Sequence, residues 1–211
     1  MNNDLERFIS FTEREGFFSS QILKSNLYPE ELFGYHELLE LCCYHGAVDC
    51  FKFLRTKFNS KITQKCLEFS FLGGNPEIMS ECLKYQKPNE ECMRYAIISH
   101  NIDFVTFLMN EHNIKIELNY CTLYNNLESF LVYFDRTNDI NRCFVFSITF
   151  NIQSLLEYLI SLGANVNNYG ASALHSAVTK NNTEAAEFLI THGVNINQKN
   201  SKGYTALQWA V

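Results

Sequence analysis

Long apolar runs and clustered basic residues are both scarce in this chain of 211 residues. It has no stretch of about 18 uninterrupted apolar residues, which argues against a membrane-spanning helix. Lys and Arg number 17 against 23 Asp and Glu, and the formal net charge of -6 disfavours a sequence-independent hold on nucleic-acid phosphates. The N-terminus is acidic where a secretory signal would be basic. The sequence therefore predicts a cytoplasmic protein that binds neither membranes nor nucleic acid.

Cysteine is missing after residue 143, and the eight cysteines up to that point form no Cys-x-x-Cys pair. They are scattered over apolar positions, a pattern typical of free buried thiols in a reducing compartment. Phenylalanine follows the same split, because Phe188 is the only one of 18 found after residue 151. Composition thus divides the chain near residue 150.

Recognisable signatures of catalysis or metal binding are absent from the sequence. The glycine pair Gly73-Gly74 lacks the Lys-Ser/Thr that completes a phosphate-binding loop. The local group Cys42-Cys43-Tyr44-His45 with Cys50 has no distant partner group, whereas a zinc site needs four converging ligands. We therefore predict no catalytic residue, no metal ligand and no cofactor.

Two segments, residues 170–177 and 203–210, are copies of one pattern that recurs after 33 positions. A fixed period of this size is typical of a repeat array, in which no unit buries its apolar face alone. A helix pattern lies between the copies, followed by Gly193-Val-Asn-Ile-Asn197, which echoes Gly163-Ala-Asn-Val-Asn167. Because stacked repeats present surfaces and seldom reaction centres, the first functional prediction is binding.

The second helix of each unit can be indexed by a small polar or acidic residue that precedes a stripe of apolar positions near +1, +2, +4 and +5. Successive steps are 28, 26, 25, 26 and 30, which predicts about six helix pairs with shortened connecting loops. The six index residues are Asp49, Glu77, Asp103, Glu128, Ser154 and Glu184.

Capping residues agree with this register. Ser172 and Thr205 are predicted to cap first helices, and Pro76 to open a second helix. Left-handed residues are expected to end second helices at Gly163, Gly193, Asn59 and Asn113. Three short helices are predicted before residue 35: one over residues 5–12, one over residues 17–23 and one that starts at Pro29.

The two copies resemble the ankyrin repeat family, whose signature is Gly-x-Thr-Pro-Leu-His-x-Ala. Ala173 and Ala206 replace its proline, and Gln208 replaces the second histidine. The matching residues are Gly170, Ser172, Leu174, His175 and Ala177, and then Gly203, Thr205, Leu207 and Ala210. The resemblance implies that the Thr and His tie neighbouring units by hydrogen bonds, and the replacement by Gln208 puts the second tie in doubt.

The leading units resemble the poorly characterised N-terminal domain of large ankyrin families in parasitic protozoa. The expected fold is therefore an all-α, ankyrin-like α-solenoid of stacked helix pairs. Residues 1–35 are expected to form a helical cap, residues 36–137 divergent short repeats, and residues 138–211 recognisable repeats with the last one truncated.

Binding of an unknown partner protein is expected on a concave side built from loop tips and first helices, as the ankyrin resemblance implies. Tyrosine favours such surfaces because it contributes large contact area at low entropy cost. The predicted partner-binding residues are Asn168, Tyr169, Ala171, Thr179, Lys180, Ser201, Lys202 and Tyr204.

Two other interpretations remain open, a truncated or vestigial structural paralogue without a dedicated partner and a cysteine-dependent hydrolase. The sequence stops at Val211 after one helix of a unit, so Leu207 and Trp209 lack a following second helix. We expect this end to self-associate or to belong to a longer array.

Overall fold

The computed structural model describes residues 3–23, 36–168 and 172–210 of the chain. These residues are mostly helical, which confirms the all-α fold of stacked helix pairs that the sequence predicts. The chain divides into two compact units, Met1–Lys115 and Ile116–Val211. The domain boundaries expected at residues 35 and 137 stay predictions.

The described residues of the first unit form three helix pairs, preceded by a short helix and two short strands that pair antiparallel. Within this unit the first helices α2, α4 and α6 pack in succession, and each also contacts its own second helix. The elements are α1 Leu5–Thr12, β1 Ile22–Leu23, β2 His36–Glu37, α2 Leu38–Tyr44, α3 Val48–Lys57, α4 Gln64–Gly73, α5 Pro76–Leu83, α6 Glu90–Ile98 and α7 Ile102–His112.

The second unit repeats this plan with three more pairs and one further first helix. Here α8, α10, α12 and α14 pack in succession. The elements are α8 Leu118–Leu123, α9 Leu127–Thr137, α10 Ile140–Ser147 with a 3₁₀ turn Ile148–Phe150, α11 Gln153–Ser161, α12 Ser172–Thr179, α13 Thr183–Thr191 and α14 Ala206–Trp209.

The predicted register of the second helices is confirmed, because each of the six begins one residue before its index residue. The backbone shows the same period in a place that the sequence analysis overlooked. Three positions before each index residue, the turn between first and second helix holds a residue with positive φ, where Gly and Asn are tolerated best. These residues are Gly46, Gly74, His100, Asn125, Asn151 and Asn181.

Caps also fall where they are predicted. Asn59, Asn113, Gly163 and Gly193 follow second helices with φ of 50°, 53°, 97° and 79°. Pro76 opens α5, and the side chain of Asn75 accepts hydrogen bonds from the next two amides. The side chain of Ser172 lies outside the described residues, so its capping role stays a prediction.

The core follows the stripe of the second helices, most strictly at the fifth position after the index residue, where Tyr133 of α9 is half-buried and the other five helices hold a fully buried residue. Leu54, Leu108, Leu159 and Leu189 occupy this position and are fully buried. One position earlier the stripe is less uniform, since Tyr158 exposes 52% of its surface. The predicted stripe is therefore one position too wide at α11.

The N-terminal segment departs from the prediction after its first helix. The helix predicted over residues 5–12 is confirmed, and Phe8 packs edge-on against Phe53 of α3. The helix predicted over residues 17–23 is wrong, because Ile22–Leu23 pairs antiparallel with His36–Glu37. Phe17 anchors this segment by ring contact with Phe58 at 5.3 Å, and strand pairing satisfies the backbone that a helix would have satisfied. The helix start predicted at Pro29 lies outside the described residues.

Candidate partner-binding face

Neighbouring repeats of the second unit are joined by the hydrogen bond that the ankyrin resemblance implies. Nε2 of His175 in α12 lies 2.9 Å from the carbonyl oxygen of Tyr204 in the next repeat, and because a carbonyl only accepts, the ring nitrogen donates. Gln208 makes a different contact: its side-chain oxygen accepts the backbone N–H of Thr205, while Thr205 Oγ1 accepts the N–H of Gln208. The histidine replacement thus closes a capping box at the start of α14.

Asparagines form a second tie between successive loops. The side-chain oxygen of Asn141 accepts the backbone N–H of Asn165 at 2.8 Å, and that of Asn167 accepts the N–H of Asn195 at 2.8 Å. The Asn167 side chain also donates to the carbonyl of Gly193 at 3.2 Å. The asparagines of the repeated Gly-x-Asn-x-Asn pattern therefore fix the positions of neighbouring loops relative to one another.

The predicted partner-binding residues lie on exposed or half-exposed parts of the second unit where they are described. Tyr169 and Ala171 lie outside the described residues, and Asn168 is half-buried. The other five are exposed: Thr179, Lys180, Ser201, Lys202 and Tyr204.

Three of these predicted residues meet around Trp209, which the sequence analysis did not place in the site. The indole Nε1 of Trp209 donates to Thr179 Oγ1 at 3.0 Å. The Lys202 ammonium lies 5.2 Å from the indole ring, and the ring of Tyr204 lies 6.1 Å from it. Trp209 and Tyr204 still expose 40% and 48% of their surfaces, so this cluster offers amphipathic aromatic area to solvent.

A cleft of about 370 Å³ extends the same side of the unit across three first helices. It is lined by half-buried residues of α10 and its 3₁₀ turn, by α8, and by Ser176 of α12. Ser176 and Thr179 stand three residues apart and therefore share a face of α12, which connects the cleft to the Trp209 cluster. We call this surface the first-helix face; its residues are Arg142, Phe146, Ser176, Thr179, Lys202, Tyr204 and Trp209.

The repeat register contains the signal that could have located this cleft. Phe146 and Ser176 each lie five positions before a left-handed residue, Asn151 and Asn181. Equivalent positions in successive units point to one side of a stack. Arg142 lies in the first turn of the first helix α10, a place that the sequence analysis did not consider.

Arg142 is the cation of the cleft and is only loosely paired. Its Nη1 donates to the Tyr133 hydroxyl at 3.3 Å, and its guanidinium lies over the rings of Tyr133 and Phe146 at 5.7 and 5.9 Å. The carboxylate of Glu117 is 4.0 Å away, and both side chains are substantially exposed, so this pair is weak. The planar guanidinium is thus oriented by aromatic rings while most of its hydrogen-bonding capacity stays available.

A second cleft, of about 340 Å³, lies between α3 and α5 of the first unit. Its charges are already matched: Lys52 pairs with Glu77 at 2.5 Å, and Lys84 pairs with Glu81 at 2.5 Å. Arg55 donates to the carbonyl of Ser60 and to the Tyr85 hydroxyl. A ligand here would have to displace existing pairs, which makes this cleft the weaker candidate.

The thiols were weighed for catalysis, and all eight cysteines are buried and free, as predicted. Burial raises the pKa of Cys92, Cys121 and Cys143 to about 12. Cys66 differs, because a hydrogen bond with Cys43 lowers its pKa, and the Thr63 hydroxyl donates to its sulfur at 3.5 Å. A nucleophilic cysteine needs a base such as His at this position, and Cys66 has a thiol and a hydroxyl instead.

Thiol reactivity gives a direct test against the hydrolase interpretation. We expect Ellman's reagent to modify the native thiols at least about 100-fold more slowly than in guanidinium chloride, because buried thiols react only through opening of the fold. A thiol that reacts within seconds at neutral pH in the native protein would contradict this result. The variant Cys66→Ser then shows whether Cys66 is the residue responsible.

No group of three or more His, Cys, Asp or Glu in the described part of the chain is arranged to hold a metal ion. Across residues 3–23, 36–168 and 172–210, no helix is both long and apolar enough to cross a bilayer.

Comparison with known families identifies the repeats. The family described as ankyrin repeats (3 copies) matches residues 121–211. The hydrogen bond of His175 and the asparagine hydrogen bonds between successive loops, which we call the asparagine ladder, both lie in this region. Residues 121–211 of this chain are ankyrin repeats. A second family, described as a domain of unknown function (DUF3447), matches residues 58–133 of this chain, within the range for which the sequence predicts divergent short repeats.

Viral ankyrin repeat proteins are among its relatives. The fowlpox virus protein FPV034, described as an ankyrin repeat protein, is 29% identical over 122 residues, which cover 56% of this chain and 24% of the relative. The mimivirus protein R579, of Acanthamoeba polyphaga mimivirus, has the same description and is 29% identical over 182 residues, 79% of this chain and 39% of the relative. This chain thus spans well under half the length of these two relatives.

The fold is also that of solved ankyrin repeat domains. The human ASB11 ankyrin repeat domain superposes with a TM-score of 0.60 at 18% sequence identity, over 83% of this chain and 92% of that domain. Ankyrin repeats are generally protein–protein interaction modules, and their fold is typically non-enzymatic.

Proposed function

We propose that this ankyrin repeat protein is a non-catalytic, cytoplasmic module that binds a partner protein through the first-helix face. The observation that carries the proposal is the cluster of Thr179, Lys202 and Tyr204 around Trp209. A rigid aromatic pair with a hydrogen-bonded indole is the composition enriched at the energetic centres of protein interfaces. The cleft beside Arg142 adds a concave surface next to it, in which a protruding side chain of the partner can be buried.

The test removes the aromatic surface and leaves the fold intact. Tyr204→Ala combined with Trp209→Ala is expected to weaken partner recovery by at least about tenfold, because aromatic contacts at an interface centre contribute 2 kcal/mol or more. The measurement is quantitative proximity labelling in the source cell. The His175 tie should survive, since its acceptor is the backbone carbonyl of residue 204.

The matched control is Tyr158→Ala. Tyr158 is equally exposed, at 52%, but lies on the second helix α11 of the same unit. We expect this variant to retain the labelled partners. If the double variant labels the same proteins to the same extent as the parent chain, the first-helix face is not the binding surface. If the parent chain itself labels no protein above background, the vestigial interpretation replaces the proposal.

A second copy of the chain is the competing partner. Leu207 exposes 77% of its surface, whereas Leu174, its equivalent in the preceding repeat, exposes 7%. An exposed leucine at a position that stacking normally covers favours contact with another apolar face. Sedimentation velocity distinguishes the two, because self-association predicts a dimer that Leu207→Asp converts to monomer.

A further inference from the structure

Charges on the second unit are sorted by helix. From Tyr158 to the last residue, the only carboxylate side chains of the sequence are Glu184 and Glu187, and both are exposed on the second helix α13. Over the same stretch the basic residues are Lys180, Lys199 and Lys202, and all three are exposed. They lie at the end of first helix α12 and in the loop that leads to α14.

This sorting gives the first-helix face a sign opposite to that of the whole chain. The formal net charge of the chain is -6, whereas the first-helix face carries Arg142 and Lys202 and is flanked in sequence by two further exposed lysines, Lys180 at the end of α12 and Lys199 in the loop before α14. Two carboxylates come near the cleft. The Asp139 side chain accepts the backbone N–H of Arg142 at 3.2 Å and is engaged in capping α10. Glu117 stands 4.0 Å from Arg142 in a weak contact that a better-placed carboxylate would replace.

From this we infer that the first-helix face binds an acidic segment of a partner protein, with carboxylates against Arg142 and the three lysines and an apolar or aromatic side chain against Tyr204 and Trp209. The inference rests on the proposed function and adds the chemistry of the partner. Complementary charge steers association and excludes partners of the wrong sign, while the aromatic pair contributes contact area.

A protein segment fits this face better than a nucleic acid does. Tight phosphate binding needs many clustered Lys and Arg, and binding by stacking needs a continuous groove of cations along the strand. Here the cations are few, and the chain as a whole repels phosphate. The amphipathic composition of the Trp209 cluster matches a mixed acidic and apolar peptide.

The experiment selects short random peptides displayed on phage against the full chain and measures the winners by fluorescence polarisation. Enriched peptides are expected to be acidic and to carry at least one apolar anchor. The variant K180E/K199E/K202E should weaken their binding by at least about tenfold, and added salt should weaken binding to the parent chain.

The control is K61E/K87E/K115E, which makes the same change in formal charge at three exposed lysines of the first unit. This variant should bind within about twofold of the parent, since a contact-free charge acts only through the screened long-range field. Circular dichroism melts of both variants confirm that folding is unchanged.

The outcomes separate the inference from the proposed function. Enriched peptides that are neutral or basic, or that lose equal affinity for both charge variants, would contradict the inference that the partner segment is acidic. If such peptides still lose binding on Tyr204→Ala with Trp209→Ala, the proposed function stands without it. Peptides whose affinity is unchanged by the charge variants and by the double aromatic variant would contradict both the inference and the proposed function. Labelled oligouridine that binds more tightly than any selected peptide, and is released by K180E/K199E/K202E, assigns the face to nucleic acid.

Discussion

Gly73→Ala is expected to destabilise the protein by about 3 kcal/mol or more, at the severe end of overpacking substitutions. Gly73 is the last residue of α4, where the helix approaches the end of α2. A Cβ at this position would stand 2.0 Å from the carbonyl oxygen of Cys43, 2.8 Å from the amide nitrogen of Gly46 and 3.0 Å from the carbonyl oxygen of Tyr44. These are backbone atoms, so no side-chain rotation relieves the clash. Two neighbouring repeats would have to separate.

The next residue provides the control. A Cβ at Gly74 would meet nothing within 4 Å, although its φ of +71° is unfavourable for alanine. Gly74→Ala should therefore cost only the left-handed backbone penalty, about 1 to 2 kcal/mol. Urea denaturation followed by circular dichroism compares the two. Equal losses would mean that the close contact between α2 and α4 does not exist.

Leu189→Ala is expected to cost about 2 to 5 kcal/mol through lost burial and the cavity left behind. Leu189 is fully buried. It occupies the same stripe position as Leu54, Leu108 and Leu159. Its backbone carbonyl also accepts the N–H of Val194 where α13 ends, so the site is fixed on both sides. Because the surrounding helices are held by their own caps, little collapse into the cavity is expected.

Lys180→Ala is the comparison for Leu189→Ala, since Lys180 is exposed and lies in the same repeat. Its cost should stay within about 0.5 kcal/mol. Denaturant melts in which the two variants unfold at the same midpoint would show that the register assigned to α13 is wrong.

The periodic features were predictable because each depends on residues close in sequence. A left-handed turn needs Gly or Asn at one position, and a stripe needs apolar residues three and four apart, so Gly193 and Leu189 could be placed without a structure. The segment around Ile22 could not, because its strand partner is His36–Glu37 and the choice between helix and strand was decided by that distant pairing.

The candidate face was predictable in part. Thr179, Lys202 and Tyr204 follow from the expectation that loops and first helices form one side. Trp209 does not, because its role comes from a hydrogen bond across 30 residues to Thr179.

Local chemistry in the chain therefore determines the repeat class, the helix starts and the turns, since these depend on interactions between near neighbours in the sequence. Tertiary packing alone decided which polar side chains of successive repeats meet, at Trp209, at the Arg142 cleft and along the asparagine ladder. The physical reason is that side chains brought together by stacking are fixed by the distance between repeats and by the direction of each helix, and no residue carries that information by itself.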